Sequence, residues 1–307
     1  MRIKKSETDI WEYTGNDLFY EVPDSIKRIR IIDKYMIKLT IPESVEYIDE
    51  QSFTFSKFVE VNNLSKAPLP ACLSALNIYT PLKGKSNLHF ADDGFIFYDD
   101  ERVCYLVGYT GGKLQLILPT SFNQKPYAIF DRAFENTDIT DVIIPEGVTE
   151  IGAEAFRGCE HLKNVALPST MRKIRTKAFE SCKELTEINI PEGVLSLGIF
   201  SFSECKKLKK VSLPSSLFNI ESSAFDRCEN LTDVYLSEGI NMIGYRAFGS
   251  CYDLAEITIP RSVTYMGKDV FRGCGSIKRI TMPRDLYLYS VRKHLGFQDL
   301  NFELNLT

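Results

Sequence analysis

The sequence predicts a repeat solenoid: a stack of short coils with a parallel β-sheet along one side and a cap at each end. Three columns of residues predict it. Prolines stand at Pro145, Pro168, Pro191, Pro214, Pro260 and Pro283, with Ser237 filling the one gap, so the step is 23 residues throughout. Cysteines keep that step at Cys159, Cys182, Cys205, Cys228, Cys251 and Cys274, and phenylalanines keep it at Phe156, Phe179, Phe202, Phe225, Phe248 and Phe271. Three columns with one period in the twenties describe stacked coils rather than a globule with a single centre.

Each unit reads C-x-x-L-x-x-[VI]-x-[LI]-P-x-x-[VL]-x-x-[IL]-[GR]-x-x-A-F-x-x-C. In the copy from Cys182, Leu185, Ile188 and Ile190 are apolar, while Glu187 and Asn189 between them are polar. That alternation predicts a short strand with one buried face. Pro191 has no N–H to give to a ladder and closes the strand. Val194 and Leu197 follow at three-residue spacing, then Gly198 and the Phe202 column. This return stretch suits turns or a short 3-10 piece on the opposite side of the coil. One coil cannot bury its own apolar side chains, so stability must come from stacked neighbours.

The motif resembles a leucine-rich repeat, and more closely the BspA-like or Treponema-type subclass, with 23-residue units and an I-G-x-x-A-F-x-x-C half. Ile151-Gly152-x-x-Ala155-Phe156-x-x-Cys159 and Ile243-Gly244-x-x-Ala247-Phe248-x-x-Cys251 match it best. The resemblance covers the units of residues 142–283 and, more loosely, most of the remainder. It implies a right-handed leucine-rich-repeat stack with the parallel sheet on the concave face and a mainly irregular or 3-10 convex side. It also implies a non-catalytic protein; many relatives are surface or secreted proteins associated with adhesion.

Five segments are expected in order. Residues 1–35 form an N-terminal cap, with Trp11, Tyr13, Phe19 and Tyr20 closing the first coil and Val22-Pro23-x-x-Ile26-x-x-Ile29 as a shortened return stretch. Residues 36–64 hold the first repeat, with Met36, Leu39 and Ile41 on the strand and Val45, Ile48 and Phe53 behind it. Residues 65–136 are irregular repeats with a β-hairpin insertion, its two strands lying either side of Asp99-Asp100-Glu101-Arg102. Asp93-Gly94-Phe95-Ile96-Phe97 and Tyr109-Thr110-Gly111 resemble an insertion common in BspA-like proteins. Residues 137–283 are the regular repeats. Residues 284–307 form the C-terminal cap, with a short helix near Ser290–Gly296 and Phe297, Leu300 and Phe302 covering the last coil.

Composition removes several functions. Lysines and arginines number 37 against 41 aspartates and glutamates, a formal net charge of −4. That balance gives no general pull towards nucleic acid or an anionic membrane. No stretch approaches the roughly 18 apolar residues of a transmembrane helix, so no membrane insertion is expected. The basic N-terminal residues are not followed by the apolar run of a secretory signal. The expectation is therefore a cytoplasmic protein, with a cell-surface or secreted location as the alternative the resemblance raises. The eight cysteines contain no C-x-x-C pair, which argues against zinc. Thr137 and Ser56 take the cysteine column elsewhere, so that site wants a small, slightly polar side chain, and buried free thiols fit it. His89, His161 and His294 are scattered, and no Ser-His-Asp set or glycine-rich phosphate loop can be assembled. No enzyme, cofactor or metal is expected.

A binding site is expected on the outward strand positions. One lane runs Lys38, Asp141, Asn164, Glu187, Lys210, Asp233, Glu256, Arg279; the other runs Thr40, Ile143, Ala166, Asn189, Ser212, Tyr235, Thr258, Thr281. Adjacent strands lie about 4.8 Å apart, which predicts continuous rows. The first lane mixes signs, which suits a protein partner with complementary charge rather than a polyanion. In the second, Tyr235 stands amid small residues, as interface anchors do. Glu187, Lys210, Asp233, Tyr235, Glu256 and Arg279 are the candidate partner-binding residues of a non-enzymatic protein-protein interaction scaffold. The alternative is an adhesin recognising host protein or glycan.

Overall fold

A computed structural model describes residues 2–5, 10–15, 17, 19–33, 36–52, 60–69, 87–99, 102–292 and 303–307. Two compact units form, residues 1–103 and 104–307. In both, equivalent residues of successive coils stack on one another.

In the second unit most coils give two strands. The first set is Gln115–Ile117, Asp141–Ile143, Asn164–Ala166, Glu187–Asn189, Lys210–Ser212, Asp233–Tyr235, Glu256–Thr258, Arg279–Met282 and Glu303–Leu306. Where these strands pair they are parallel and in register, so Glu187, Lys210 and Asp233 lie side by side. The second set is Ala128–Ile129, Glu150–Ile151, Lys173–Ile174, Ser196–Leu197, Asn219–Ile220, Met242–Ile243 and Tyr265–Met266, which continue without a break from the strand Cys104–Tyr109. The return stretch is thus built of turns, as expected, but carries a second parallel ladder in place of a 3-10 piece. The reason is that stacking sets each return-stretch amide opposite a carbonyl of the neighbouring coil. Gly198 N donates to Ile174 O at 3.1 Å and Gly244 N to Ile220 O at 2.8 Å. Bonds between coils satisfy the groups that a 3-10 turn would satisfy within one.

The turns beside the phenylalanine column are bonded between coils too. Phe156 N donates to Ala178 O, Phe179 N to Ser201 O and Phe202 N to Ala224 O, each at 2.8 Å. Glu154, Lys177, Phe200, Ser223, Arg246 and Asp269 hold φ between 50° and 58°, a left-handed conformation repeated in every coil. It turns alternate amides towards the next coil: Glu154, Phe156 and Gly158 all donate forward. The local cost of that conformation, about 1–2 kcal/mol per non-glycine residue, is offset by these bonds and by the packing they permit.

The core is two ladders. Rings from Phe134 to Phe271 stack coil upon coil, with centroids from 5.0 Å apart and planes 1° apart at Phe134–Phe156 to 6.0 Å and 16° at Phe248–Phe271. Beside them each cysteine Sγ donates to the phenylalanine carbonyl of the coil before it: Cys182 to Phe156 O, Cys205 to Phe179 O and Cys228 to Phe202 O, all at 3.2 Å. Those carbonyls also accept a backbone N–H of their own coil, such as Cys182 N on Phe179 O. A small side chain with a weak donor is what the second lone pair needs. Thr137, in the same column, bonds differently: its hydroxyl donates to Phe134 O of its own coil at 2.8 Å, a carbonyl that Cys159 Sγ also reaches at 3.0 Å. Cys104 is also buried and free, and Cys72 lies outside the described residues.

Alternate coils are stitched in pairs. Glu146 accepts the backbone N–H groups of Ser169 and Thr170, Glu192 those of Ser215 and Ser216, and Glu238 those of Arg261 and Ser262. In return Thr170, Ser216 and Ser262 each accept from a glycine N–H, of Gly147, Gly193 and Gly239. These glycines hold φ of +97°, +95° and +126°, conformations that favour glycine. A Glu-Gly coil therefore always precedes a hydroxyl coil, an alternation of two coils laid over the single-coil period.

The first unit repeats the plan. Phe19–Glu21, Lys38–Ile41 and Glu60–Asn63 pair in parallel, and so do Trp11–Gly15, Arg28–Asp33 and Tyr47–Ile48, with Arg2–Lys5 antiparallel at the start. Met36, Leu39, Ile41, Val45 and Ile48 are buried as expected, while Phe53 and Ser56 lie outside the described residues. Trp11 packs half-buried against this core. Both expected strands of the insertion form, Phe95–Asp99 and Cys104–Tyr109, and the turn residues Asp100 and Glu101 lie outside the described residues. An unforeseen strand, Leu88–Phe90, pairs antiparallel with Phe95–Asp99. At the C-terminus the helix is Arg284–Arg292, starting six residues before the expected Ser290, and residues 293–296 of the expected helix lie outside the described residues. It starts directly after Pro283, as a chain leaving a strand through proline can, with Asp285 in its first turn where the helix dipole favours a carboxylate. Phe297, Leu300 and Phe302 lie outside the described residues.

Candidate functional site

The expected site residues stand on five strands of the second unit. Strand alternation buries Ile188, Val211, Ile257 and Ile280 and turns Glu187, Lys210, Asp233, Glu256 and Arg279 outward, all of them exposed. Tyr235 is 73% exposed, beside Ser212 in register. Backbone ladders and the packed core behind hold these side chains on a stiff support.

The rows are not continuous. Within this sheet the hydrogen-bonded pairing stops after Asn164–Ala166 and again after Asp233–Tyr235. At those two strands the inward residues, Val165 and Val234, are half-buried where their counterparts are buried. Beside the second parting lies a cleft of about 440 Å³ lined by Lys210, Ser212, Thr232, Asp233 and Tyr235, with Glu256 reaching it from the strand beyond. Four of the six candidate residues therefore meet in one cleft; Glu187 and Arg279 flank it.

Charge follows a rule across the parting. Lys210 lies in register between Glu187 and Asp233. Arg279 lies between Glu256 and Glu303 and binds both, at 3.1 and 3.3 Å. The order is minus, plus, minus on each side, so two carboxylates adjoin where the ladder is broken. Asp233 accepts the Thr232 hydroxyl at 2.9 Å.

The lanes also differ at their ends. The strand Gln115–Ile117 precedes Asp141–Ile143, so Gln115 and Ile117 begin the rows of this unit. The signal was present in Leu116-x-Leu118-Pro119, but it stands 26 residues before its next copy and falls off the regular columns. Ile117, Ile143 and Ala166 make the near end of the second row apolar and exposed. In the first unit the lane reads Phe19, Lys38, Glu60 and is contacted by the chain itself, with Glu60 buried and Phe19 still exposed. Asn87 N donates to buried Glu60 at 3.0 Å, Lys38 binds the same carboxylate at 3.0 Å, and Phe90 packs edge-on against Phe19 at 5.2 Å.

Burial pushes the Cys159 thiol up to about 12 and raises Cys182 and Cys228 as well, which suppresses the nucleophilic thiolate. His161 is exposed at a turn, His89 sits on the strand Leu88–Phe90, and His294 lies outside the described residues. Among the described residues no group of three or more His, Cys, Asp or Glu side chains could hold a metal ion.

A family model for the BspA type leucine rich repeat region matches six copies, over residues 127–198 and 172–293. Curated proteins give no match. Among solved structures, a Treponema pallidum leucine rich repeat protein is 29% identical with a TM-score of 0.57, covering 74% of this chain and 99% of its own. A leucine-rich repeat protein from Bacteroides capillosus is also 29% identical, with a TM-score of 0.37, over 41% of this chain and 98% of its own. A leucine rich cell surface protein from Faecalibacterium prausnitzii is 20% identical with a TM-score of 0.30, over 74% of this chain and 96% of its own.

Proposed function

The chain belongs to the BspA-type leucine-rich repeat family, whose repeats generally serve as protein-interaction scaffolds, and from that premise we propose a non-enzymatic scaffold that binds a protein partner through the sheet face of residues 187–281. The observation that carries this is the row Glu187, Lys210, Asp233, Tyr235, Glu256 and Arg279, exposed on strands whose backbones are fixed from behind. A stiff support lowers the ordering cost of binding. Mixed charges give orientation, and a large exposed tyrosine beside small neighbours gives an anchor. The face of the first unit is a weaker candidate, because Asn87 and Phe90 already pack on it.

The test is a paired pull-down from host lysate and extracellular fraction, with wild type beside the variant Lys210→Glu, Tyr235→Ala, Arg279→Glu. The expected result is a partner retained by wild type and lost by the variant. Equal retention by both would move the site off this face. The fraction that supplies the partner decides between a cytoplasmic scaffold and a secreted or surface adhesin. Among the described residues no helix is long and apolar enough to cross a membrane, so membrane insertion forms no part of this proposal.

A further inference from the structure

We infer that the cleft over Lys210–Ser212 and Asp233–Tyr235, closed on its far side by Glu256, receives a cationic side chain, an arginine before a lysine, from an extended segment of the protein partner. The inference rests on the sheet-face reading and makes it specific. Its basis is the charge order of the first row. Glu187, Lys210 and Asp233 are paired in register, and so are Glu256, Arg279 and Glu303. Each resident cation is thus flanked by two carboxylates. The two triads meet minus to minus at the parting, where Asp233 and Glu256 lack a cation between them and the strands lack their ladder. One positive charge placed there would continue the alternation across both triads.

Three features make the place suitable. The cleft holds about 440 Å³, room for a guanidinium and part of its aliphatic stem. Tyr235 stands beside it, 73% exposed, offering a ring face on which a planar cation can lie. Asp233 and Glu256 approach from opposite strands, so a forked donor can bond to both sides, which an ammonium does less well. Anionic ligands are opposed by the same pair. The parting after Ala166 has no such order, since uncharged Asn164 faces Glu187 across it. The cationic site therefore belongs to one cleft and not to partings in general.

The experiment selects displayed linear peptides on the full wild-type chain, then measures synthetic copies against three proteins. These are wild type, a cleft variant Asp233→Asn with Glu256→Gln, and the face variant Lys210→Glu, Tyr235→Ala, Arg279→Glu. All substituted side chains are exposed, and unchanged melting curves will show that each variant folds. The expected peptides carry an arginine whose replacement by glutamine weakens binding at least about tenfold, with a similar loss on the cleft variant, as charged hydrogen-bonded pairs give. Arginine to lysine should cost about threefold. Peptides that lose binding to the face variant yet ignore both the arginine replacement and the cleft variant would overturn this inference and leave the face reading standing. Peptides that bind all three proteins alike would remove both.

Discussion

The two sheets of the second unit differ in one respect: the sheet of two-residue strands runs unbroken from Cys104 to Met266, while the sheet of longer strands parts twice. The difference lies in what backs each. The two-residue sheet leads into the turns of the phenylalanine and cysteine columns, where rings, thiols and amides repeat in every coil. No coil can shift there without losing several contacts at once. The other sheet is held by one inward residue in most strands, two in Arg279–Met282, and by side chains that vary from coil to coil. Rigidity thus sits on the repetitive side, and the recognition proposed above lies on the variable side. Solenoids permit this division because each coil answers only to its neighbours.

The comparison can be broken most strongly at the repetitive side. Phe202→Ala removes a ring stacked between Phe179 and Phe225, and should destabilise by about 3–5 kcal/mol by chemical denaturation. An unchanged midpoint would remove the phenylalanine column from the core. Next comes Gly198→Ala. A methyl group there would stand 2.5 Å from backbone atoms of Arg175 and Thr176, which cannot swing aside. A loss of about 1–3 kcal/mol is expected, as for overpacking. Chemical labelling sharpens the same point: the Cys159, Cys182 and Cys228 thiols, raised by burial, should react with iodoacetamide only after denaturant unfolds the chain, and prompt labelling of these three in the folded protein would contradict the ladder.

Smaller effects follow at the stitches and the face. Hydrogen bonds from the backbone of Ser169 and of Ser215 hold the carboxyls of Glu146 and Glu192 below their ordinary 4.5. A lowered folded value means that the stabilisation is full above the unfolded value and is lost as pH falls through the folded one. Glu146→Gln with Glu192→Gln should therefore lower the melting temperature at pH 7, where the stabilisation is full, approach wild type as pH falls below about 4, and so flatten the acid limb. An unaltered acid limb would show that these carboxylates are not coupled to folding. The face variant Lys210→Glu, Tyr235→Ala, Arg279→Glu should change stability least, within about 0.5 kcal/mol per site, because its side chains are exposed. A large loss would make the row structural rather than a recognition surface.

Periodicity alone was enough to read the coil plan, the buried columns and the outward lanes, because a 23-residue step repeats each local environment and a strand alternates its faces. Glu187, Lys210, Asp233, Glu256 and Arg279 were legible as a row for that reason, and Tyr235 as its odd member. Off-period features were harder to see. Gln115–Ile117 escaped because the insertion moved it to a 26-residue step. The pairing of Glu-Gly coils with hydroxyl coils is written in the sequence, but it gains meaning only once Glu146 is seen to reach the amides of the next coil.

What the sequence by itself determined is everything that depends on a residue and its own copies in adjacent coils: strand, turn, ring stack and thiol ladder. Where the stack departs from its own repeat was decided only in three dimensions. The second ladder replaced a 3-10 turn because carbonyls of a neighbouring coil were in reach. The sheet parted after Tyr235, and segment 87–90 came to lie on the first unit's lane, because those outcomes depend on contacts between residues that share no column and no period.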